Sequence, residues 1–297
     1  MTQNYSNWGR WGPDDEKGML NEINSPHILN VIKKINTGTV YSLGAPVGKL
    51  GPIGARNATQ HLMSSIQIDE KKRGYGSSDD VLVTHTHAST HLDALCHHWQ
   101  DSKIYNGYPW DTVTPDGAKK CGVQNVEWII TRGILLDIPS TKGIDELDED
   151  YAITTSDLDE AVEFQGVTIH DLDFVFVRTG WYRKYLREPN ISHVNSSGLS
   201  EESKNWLTRY NLIGVGADNV AVEIWPPEQT DDDDTYILRH GVLPIHVLML
   251  NQLGAYLLEL LNLEELSKNK IYEFTLIIAP LKITGGIGSP VNPLAIV

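Results

Sequence analysis

The sequence predicts a mixed α/β fold, and two kinds of signal predict it. Short apolar runs, Gly133-Ile134-Leu135-Leu136-Asp137 and Asp173–Arg178, have the composition of buried strands. Around them lie segments with helical spacing and helix-start residues, and the two kinds alternate only loosely. No low-complexity stretch or obvious linker divides the chain. Residues 1–297 are therefore read as one domain, with residues 1–37 forming an irregular N-terminal arm and a first helix.

In chain order, Asn7–Asn24 mixes two tryptophans with glycine, proline and acids, which suits a loop with a short helical turn. Ser25-Pro26 opens a helix through Lys34, with serine as cap and proline at the first helical position. Val40–Val47 and Val81–His87 read as strands, followed by the two apolar runs. Leu199–Tyr210 is an amphipathic helix capped by Ser200. Leu212–Val222 returns to strand character, broken by Gly214 and Gly216. Leu243–Leu250 has helical spacing, Leu263–Lys268 is a short helix, and Phe274–Ile283 is a last strand.

Apolar residues make up 40% of the chain, enough for a sizeable core. The formal charge of −15 repels phosphate backbones and argues against nucleic acid as a partner. Two cysteines, Cys96 and Cys121, cannot build a disulfide framework and fit a reducing compartment. The start of the chain has no apolar signal segment, and no apolar run approaches the roughly 20 residues that span a bilayer. These features describe a soluble, cytoplasmic protein acting on a small molecule, with no membrane partner.

Five of the eleven histidines fall between His85 and His98, in the segment HTHASTHLDALCHH. His87, His91 and Asp93 have the spacing H-x3-H-x-D, and His97 follows four residues later. Neutral imidazoles with one carboxylate suit a divalent cation such as zinc or manganese. Three protein ligands leave positions open for water, the arrangement of a catalytic site. A turn at Ala88-Ser89-Thr90 lets His87 and His91 converge, and an extended segment points His91 and Asp93 the same way. If Asp93 then starts a helix, His97 lies one turn on, where it can act on water without holding the metal. Taken singly, His85 and His98 read as surface or hydrogen-bonded core residues, and Cys96 as packing.

The segment HASTHLDALCHH resembles the HxGTHxDxPxH signature of the cyclase family, which includes bacterial kynurenine formamidases and isatin hydrolases. NWGRWGPDDEKGMLN, RNATQHLM, VRTGW, GLSEESKNWL, RHGVLPIH and APLKITGGIGSPVNPLAIV resemble its longer, isatin-hydrolase-like branch, so the likeness runs along nearly the whole chain. The resemblance implies a mixed β/β/α, swivelling-domain-like fold assembled into homodimers or homotetramers. It implies metal-ligand roles for His87, His91 and Asp93, and the catalytic acid–base role for His97.

Ser89 stands at the motif glycine and Leu95 at the motif proline, neither of them a ligand position. The formamidases hold a second metal with a histidine and a glutamate twelve residues apart. Aligning RHGVLPIH on that region puts His246 at the glutamate and Asp234 near the histidine. One metal ion per chain, Mn2+ or Zn2+, is therefore expected. His246 either bonds in the pocket or starts a helix after Pro244.

Gln60, His61 and Trp99 are candidate substrate contacts, with surface or core roles as their plain alternatives. Trp8 and Trp11 make the arm either a lid or a subunit contact. The run Asp231–Asp234 lacks the spacing and glycine of a calcium loop and reads as a solvated loop. Gly285-Gly286-Ile287-Gly288 reads as a turn that brings the C-terminus near the site.

The expected activity is metal-dependent hydrolysis of a carbon–nitrogen bond in a small cyclic amide. Open formamides such as N-formylkynurenine, and lactones, are the alternatives within enzymes. A metal-stabilised binding or scaffold protein is the alternative outside them.

Overall fold

Four strands of mostly branched and aromatic residues lie side by side and parallel: β5 (Ile129–Asp137), β6 (Phe174–Arg178), β7 (Gly214–Ala217) and β8 (Tyr256–Glu259). Nearly every residue in them is buried, because a parallel core is covered on both faces and has no solvent face to make polar. In the computed structural model, residues 5–48, 56, 58–68, 76–188, 195–225 and 243–297 are described, Gln67 and Ile68 by backbone alone. The run Asp231–Asp234 and the first half of RHGVLPIH lie outside the described residues.

Antiparallel strands flank this core on both sides. Beyond β5 come β9 (Glu273–Ile278), β11 (Leu294–Ile296) and β1 (Val40–Ser42). Beyond β8 come β4 (His91–Asp93) and β10 (Gly288–Pro290). The nine strands form one mixed sheet. The close packing at its centre depends on glycine: a Cβ at Gly133 would enter the Phe274 ring, and one at Gly214 would meet the Phe174 ring and the Tyr256 carbonyl.

Several predicted boundaries move. Helix α1 is Ser25–Ile32, and its cap is Asn24, whose side chain accepts from the His27 N–H. The expected strands shorten to β1, β7 and β9. Leu199–Tyr210 is a 3-10 turn, Glu201–Ser203, followed by one α-turn, Lys204–Leu207. Ser200 provides no side-chain cap there. Pro244–His246 is a single α-turn that continues as a π-helical turn, Val247–Leu253.

Among the helices with no sequence reading are α2 (Thr155–Gln165), opened by a capping box from Thr154 and Asp157, and α3 (Trp181–Arg187). A separate antiparallel ribbon, β2 (Gln60–Ile68) with β3 (Gly76–Val83), leads into the histidine segment. Among the described residues, no helix is long and apolar enough to cross a membrane.

Candidate metal centre

The histidine segment is shaped by pinned small residues. After β3 the chain turns, with the Ala88 N–H donating to the His85 carbonyl, and enters β4 at His91. Thr90 Oγ1 donates to the Leu260 carbonyl and accepts from the Ala45 N–H, while Ser89 Oγ donates to the Ala45 carbonyl. Arg56 Nη1 donates to the His87 carbonyl at 2.8 Å. These bonds hold His87 on one side of the turn and His91 on the other.

The alternation of β4 sends His91 and Asp93 to the same face, as the spacing predicts. The predicted helix from Asp93 does not form. Asp93 ends the strand, and a turn closed by the His97 N–H on the Ala94 carbonyl brings His97 back. The backbone of Ala94 is held by β10's approach, its N–H donating to the Ile287 carbonyl. The glycine-rich turn therefore does bring the C-terminal strand to the site. A Cβ at Gly288 would lie 2.6 Å from His87 Nε2.

Three side chains converge on one point. His87 Nε2 and His91 Nε2 stand 3.2 and 3.3 Å from Asp93 Oδ1. All of these nitrogens and both Asp93 oxygens are buried and lack a well-aligned hydrogen-bond partner. Buried polar atoms left in this state normally have an ion or water to satisfy them. The ring orientations agree: His91 Nδ1 donates to the Ser89 carbonyl, which leaves Nε2 facing inward. His87 Nδ1 is engaged by Thr86 Oγ1 at 2.9 Å, again leaving Nε2 free. The donor set, two imidazoles and a carboxylate, fits a borderline divalent cation.

His97 stacks on His87 with ring centroids 4.4 Å apart and is partly exposed. Its ring nitrogen reaches the same point as His87 and Asp93, which makes His87, Asp93 and His97 one possible ligand trio. A second trio, His91, Asp93 and Glu259, shares the aspartate. Glu259 ends β8 directly opposite His91, and its Oε2 lies 3.2 Å from His91 Nε2.

Sequence reasoning missed Glu259. The signal that could have found it was present: it follows an apolar strand run and stands thirteen residues after His246. His246, aligned on the glutamate in the sequence, itself faces a glutamate across the π-helical turn, its Nε2 3.1 Å from Glu259 Oε1.

His246 is clamped between two carboxylates. Its Nδ1 lies 2.8 Å from Glu223 Oε1 and its Nε2 3.1 Å from Glu259 Oε1, with Asp93 Oδ2 at 3.7 Å. Glu223 also accepts from the backbone N–H groups of Ile245 and His246. His246 thus hydrogen-bonds within the cluster and is the last residue of the helical turn that Pro244 begins.

The electrostatics follow from this crowding. Burial would raise the Asp93 carboxyl, but facing His97, His87 and His91 hold it well below its ordinary value. Burial alone lowers His91, yet Asp93 and Glu259 outweigh it and push it up to about 9. Glu223 and Glu259 likewise carry His246, against its burial, up to about 10. His87 and His97 go the other way, lowered chiefly by burial, with Asp93 opposing. His98, packed against His97 and His246, is pushed down to about 3 by burial and by the nearby His246 charge. Cys96 is buried and its thiol pushed up to about 12, which suits packing and no metal role.

The substrate candidates divide. Gln60 and His61 are exposed on the β2–β3 ribbon, where His61 Nε2 pairs with Asp80 at 2.6 Å and touches none of the cluster. Trp99, two residues after His97, is half exposed and stacks on Trp110 with centroids 5.6 Å apart. Trp8 and Trp11 are tied down, their Nε1 atoms donating to the Asn251 carbonyl and to Glu22 Oε1. The arm therefore packs on the π-helical turn of its own chain.

Comparison with known proteins bears on the fold and the family. An isatin hydrolase from Roseibium aggregatum is 25% identical over 94% of this chain and 97% of its own length. The crystal structure of a novel cyclase, 31% identical, superposes on 99% of this chain and 100% of its own with a TM-score of 0.86. An isatin hydrolase structure bound to the product analogue thioisatinate shares the fold at a TM-score of 0.61, with 21% identity over 93% of this chain and 99% of its own. The family model described as putative cyclase matches residues 26–224, and this chain belongs to the cyclase family.

Proposed function

We propose that this chain is a metal-dependent hydrolase that opens the carbon–nitrogen bond of a small cyclic amide, an isatin-like lactam. The observation that carries the reading is the convergence of His87 Nε2, His91 Nε2 and Asp93 on one buried point, none of these atoms having a well-aligned hydrogen-bond partner. These three residues would hold one divalent cation, Mn2+ or Zn2+. Bound there, the cation supplies a Lewis acid for the substrate carbonyl and lowers the pKa of water from 15.7 toward about 7.

The chain's own residues do the rest. Asp93 and the two imidazoles would position the ion, with the Ser89 carbonyl fixing the His91 tautomer and Thr86 Oγ1 engaging His87 Nδ1. His97, lowered by burial and therefore neutral, accepts a proton from the attacking water. The water oxygen joins the carbonyl carbon, the carbon–nitrogen bond breaks, and His97 returns the proton to the leaving nitrogen. The half-exposed Trp99 offers a flat wall for an aromatic lactam. Similarity to isatin hydrolase favours a lactam over a lactone or an open formamide.

His97→Ala tests the assignment. Metal content should stay unchanged while isatin hydrolysis falls by about 100-fold or more. Loss of metal would instead make His97 a ligand, as its place in the first trio allows.

A second reading rests on the His246–Glu259 pair beside Asp93 Oδ2. Those groups would hold a second cation, and two equivalents of metal with turnover of N-formylkynurenine would favour it. A metal-stabilised scaffold is disfavoured by a partly exposed His97 at the site, since a purely structural ion needs no base.

A further inference from the structure

One guanidinium beside the histidine cluster lacks the kind of partner that the other described arginines have. Arg10, Arg132, Arg178, Arg183, Arg187 and Arg209 each pair with a carboxylate. Arg56 pairs with no carboxylate among the described residues, although the chain has 39 acidic side chains to 24 basic ones. Its hydrogen bond within the described structure runs from Nη1 to the His87 carbonyl at 2.8 Å. A guanidinium has five N–H donors in a fixed fork, so that bond uses a small part of its capacity. Arg56 is also partly buried, where a charge without a counter-charge is costly. Holding a backbone carbonyl needs one donor, which a neutral side chain supplies as well, so the charge asks for a further role.

We propose that Arg56 binds a carboxylate carried by the substrate, a role that rests on the hydrolase reading and narrows its substrate class to anionic cyclic amides. A planar carboxylate matches the guanidinium fork, which takes it through two parallel hydrogen bonds. The place of Arg56 fits a group remote from the bond that breaks. It is anchored on the backbone of His87, whose ring points to the buried metal-binding position and stacks on His97 with centroids 4.4 Å apart. Trp99 follows two residues after His97. Arg56, His97 and Trp99 all keep some solvent exposure beside that buried position. A flat lactam lies against Trp99 with its carbonyl towards Asp93, and its carboxylate reaches Arg56.

An anionic substrate needs such a residue here. The chain has a formal charge of −15, and Asp93, Glu223 and Glu259 all face His246 within the cluster. That field repels an approaching anion, and a cation beside the site offsets it. The field of Arg56 does reach the site: His87 is lowered first by burial, and the Arg56 charge is among the groups that add to this. A neutral lactam would draw nothing from that charge.

The test is hydrolysis, by the metal-loaded full-length protein, of isatin and of the four isatins that bear one carboxylate on the benzo ring. Wild type, Arg56→Gln and Arg56→Lys are compared, with metal content measured in each. The wild type should favour at least one carboxylate over isatin in kcat/KM by about tenfold or more, the worth of a charged hydrogen bond. Arg56→Gln should abolish that preference by raising KM for the carboxylate. Arg56→Lys, which keeps the charge and loses the fork, should retain part of it. Equal losses on isatin and on the carboxylates would make Arg56 a support for His87 and overturn the proposal. A wild type that favours none of the carboxylates overturns it too. If Arg56→Gln fails to fold, salt decides on the wild type: added salt should lower kcat/KM for the favoured carboxylate more than for isatin, and equal effects overturn the proposal. Turnover of none of these compounds counts against the hydrolase reading, and calorimetric binding then decides on Arg56. A carboxylate held about tenfold more tightly than isatin by the wild type, and not by Arg56→Gln, supports the assignment. Equal affinities overturn it.

Discussion

At the scale of residues, His91 carries the most competing demands. One ring nitrogen is committed to the Ser89 carbonyl, and the other faces Asp93 and Glu259 from within a fully buried site. The metal-free chain therefore holds His91 protonated at neutral pH, with its pKa at about 9. A metal ligand must be neutral, so binding has to expel that proton. Titrating Mn2+ or Zn2+ into metal-free protein at pH 7.5 should release about one proton, seen as an enthalpy that varies with the buffer's ionisation heat. Affinity should rise with pH up to about 9 and level off above it. A buffer-independent enthalpy would remove His91 from the ligand set.

His87, His91 and Asp93 were legible in the sequence because their chemistry and spacing are local. Glu259 and Glu223 were not, since they reach the cluster from distant parts of the chain. Only the pairing of β8 with β4, and the fold of Pro244–His246 over Glu223, bring them there.

At the scale of elements, the parallel core was the easiest part to anticipate. Buried strands read as continuous apolar runs, and β5 and β6 were found that way. The step from Asp93 into a helix failed because the spacing from Asp93 to His97 suits a helical turn and an isolated turn equally. The choice fell to tertiary bonds, such as that from Ala94 to Ile287. Gly214 and Gly216 of β7 read as breaks in strand character, but they are where the Phe174 and Phe176 rings lie against the sheet. Gly214→Ala should accordingly cost about 1–3 kcal/mol by overpacking against Phe174 and the Tyr256 carbonyl. Gly48→Ala, where a Cβ meets nothing within 4 Å, should stay within about 0.5 kcal/mol. Denaturant unfolding of the two variants checks the contrast, and equal effects would mean the sheet is looser than its packing indicates.

At the scale of the whole molecule, the candidate centre sits where the parallel core gives way to its antiparallel flank. β8 supplies Glu259, β4 supplies His91 and Asp93, and β10 leaves the gap beside His87. Strand order lies beyond any reading of periodicity, so this convergence appears only once the nine strands are assembled. The central claim is that the convergence holds a metal. Its most direct test is the metal content of the wild-type chain, purified without chelators, beside His91→Ala. The account predicts at least one equivalent of manganese or zinc in the wild type and its loss in the variant. A folded wild-type chain that takes up neither metal would contradict it.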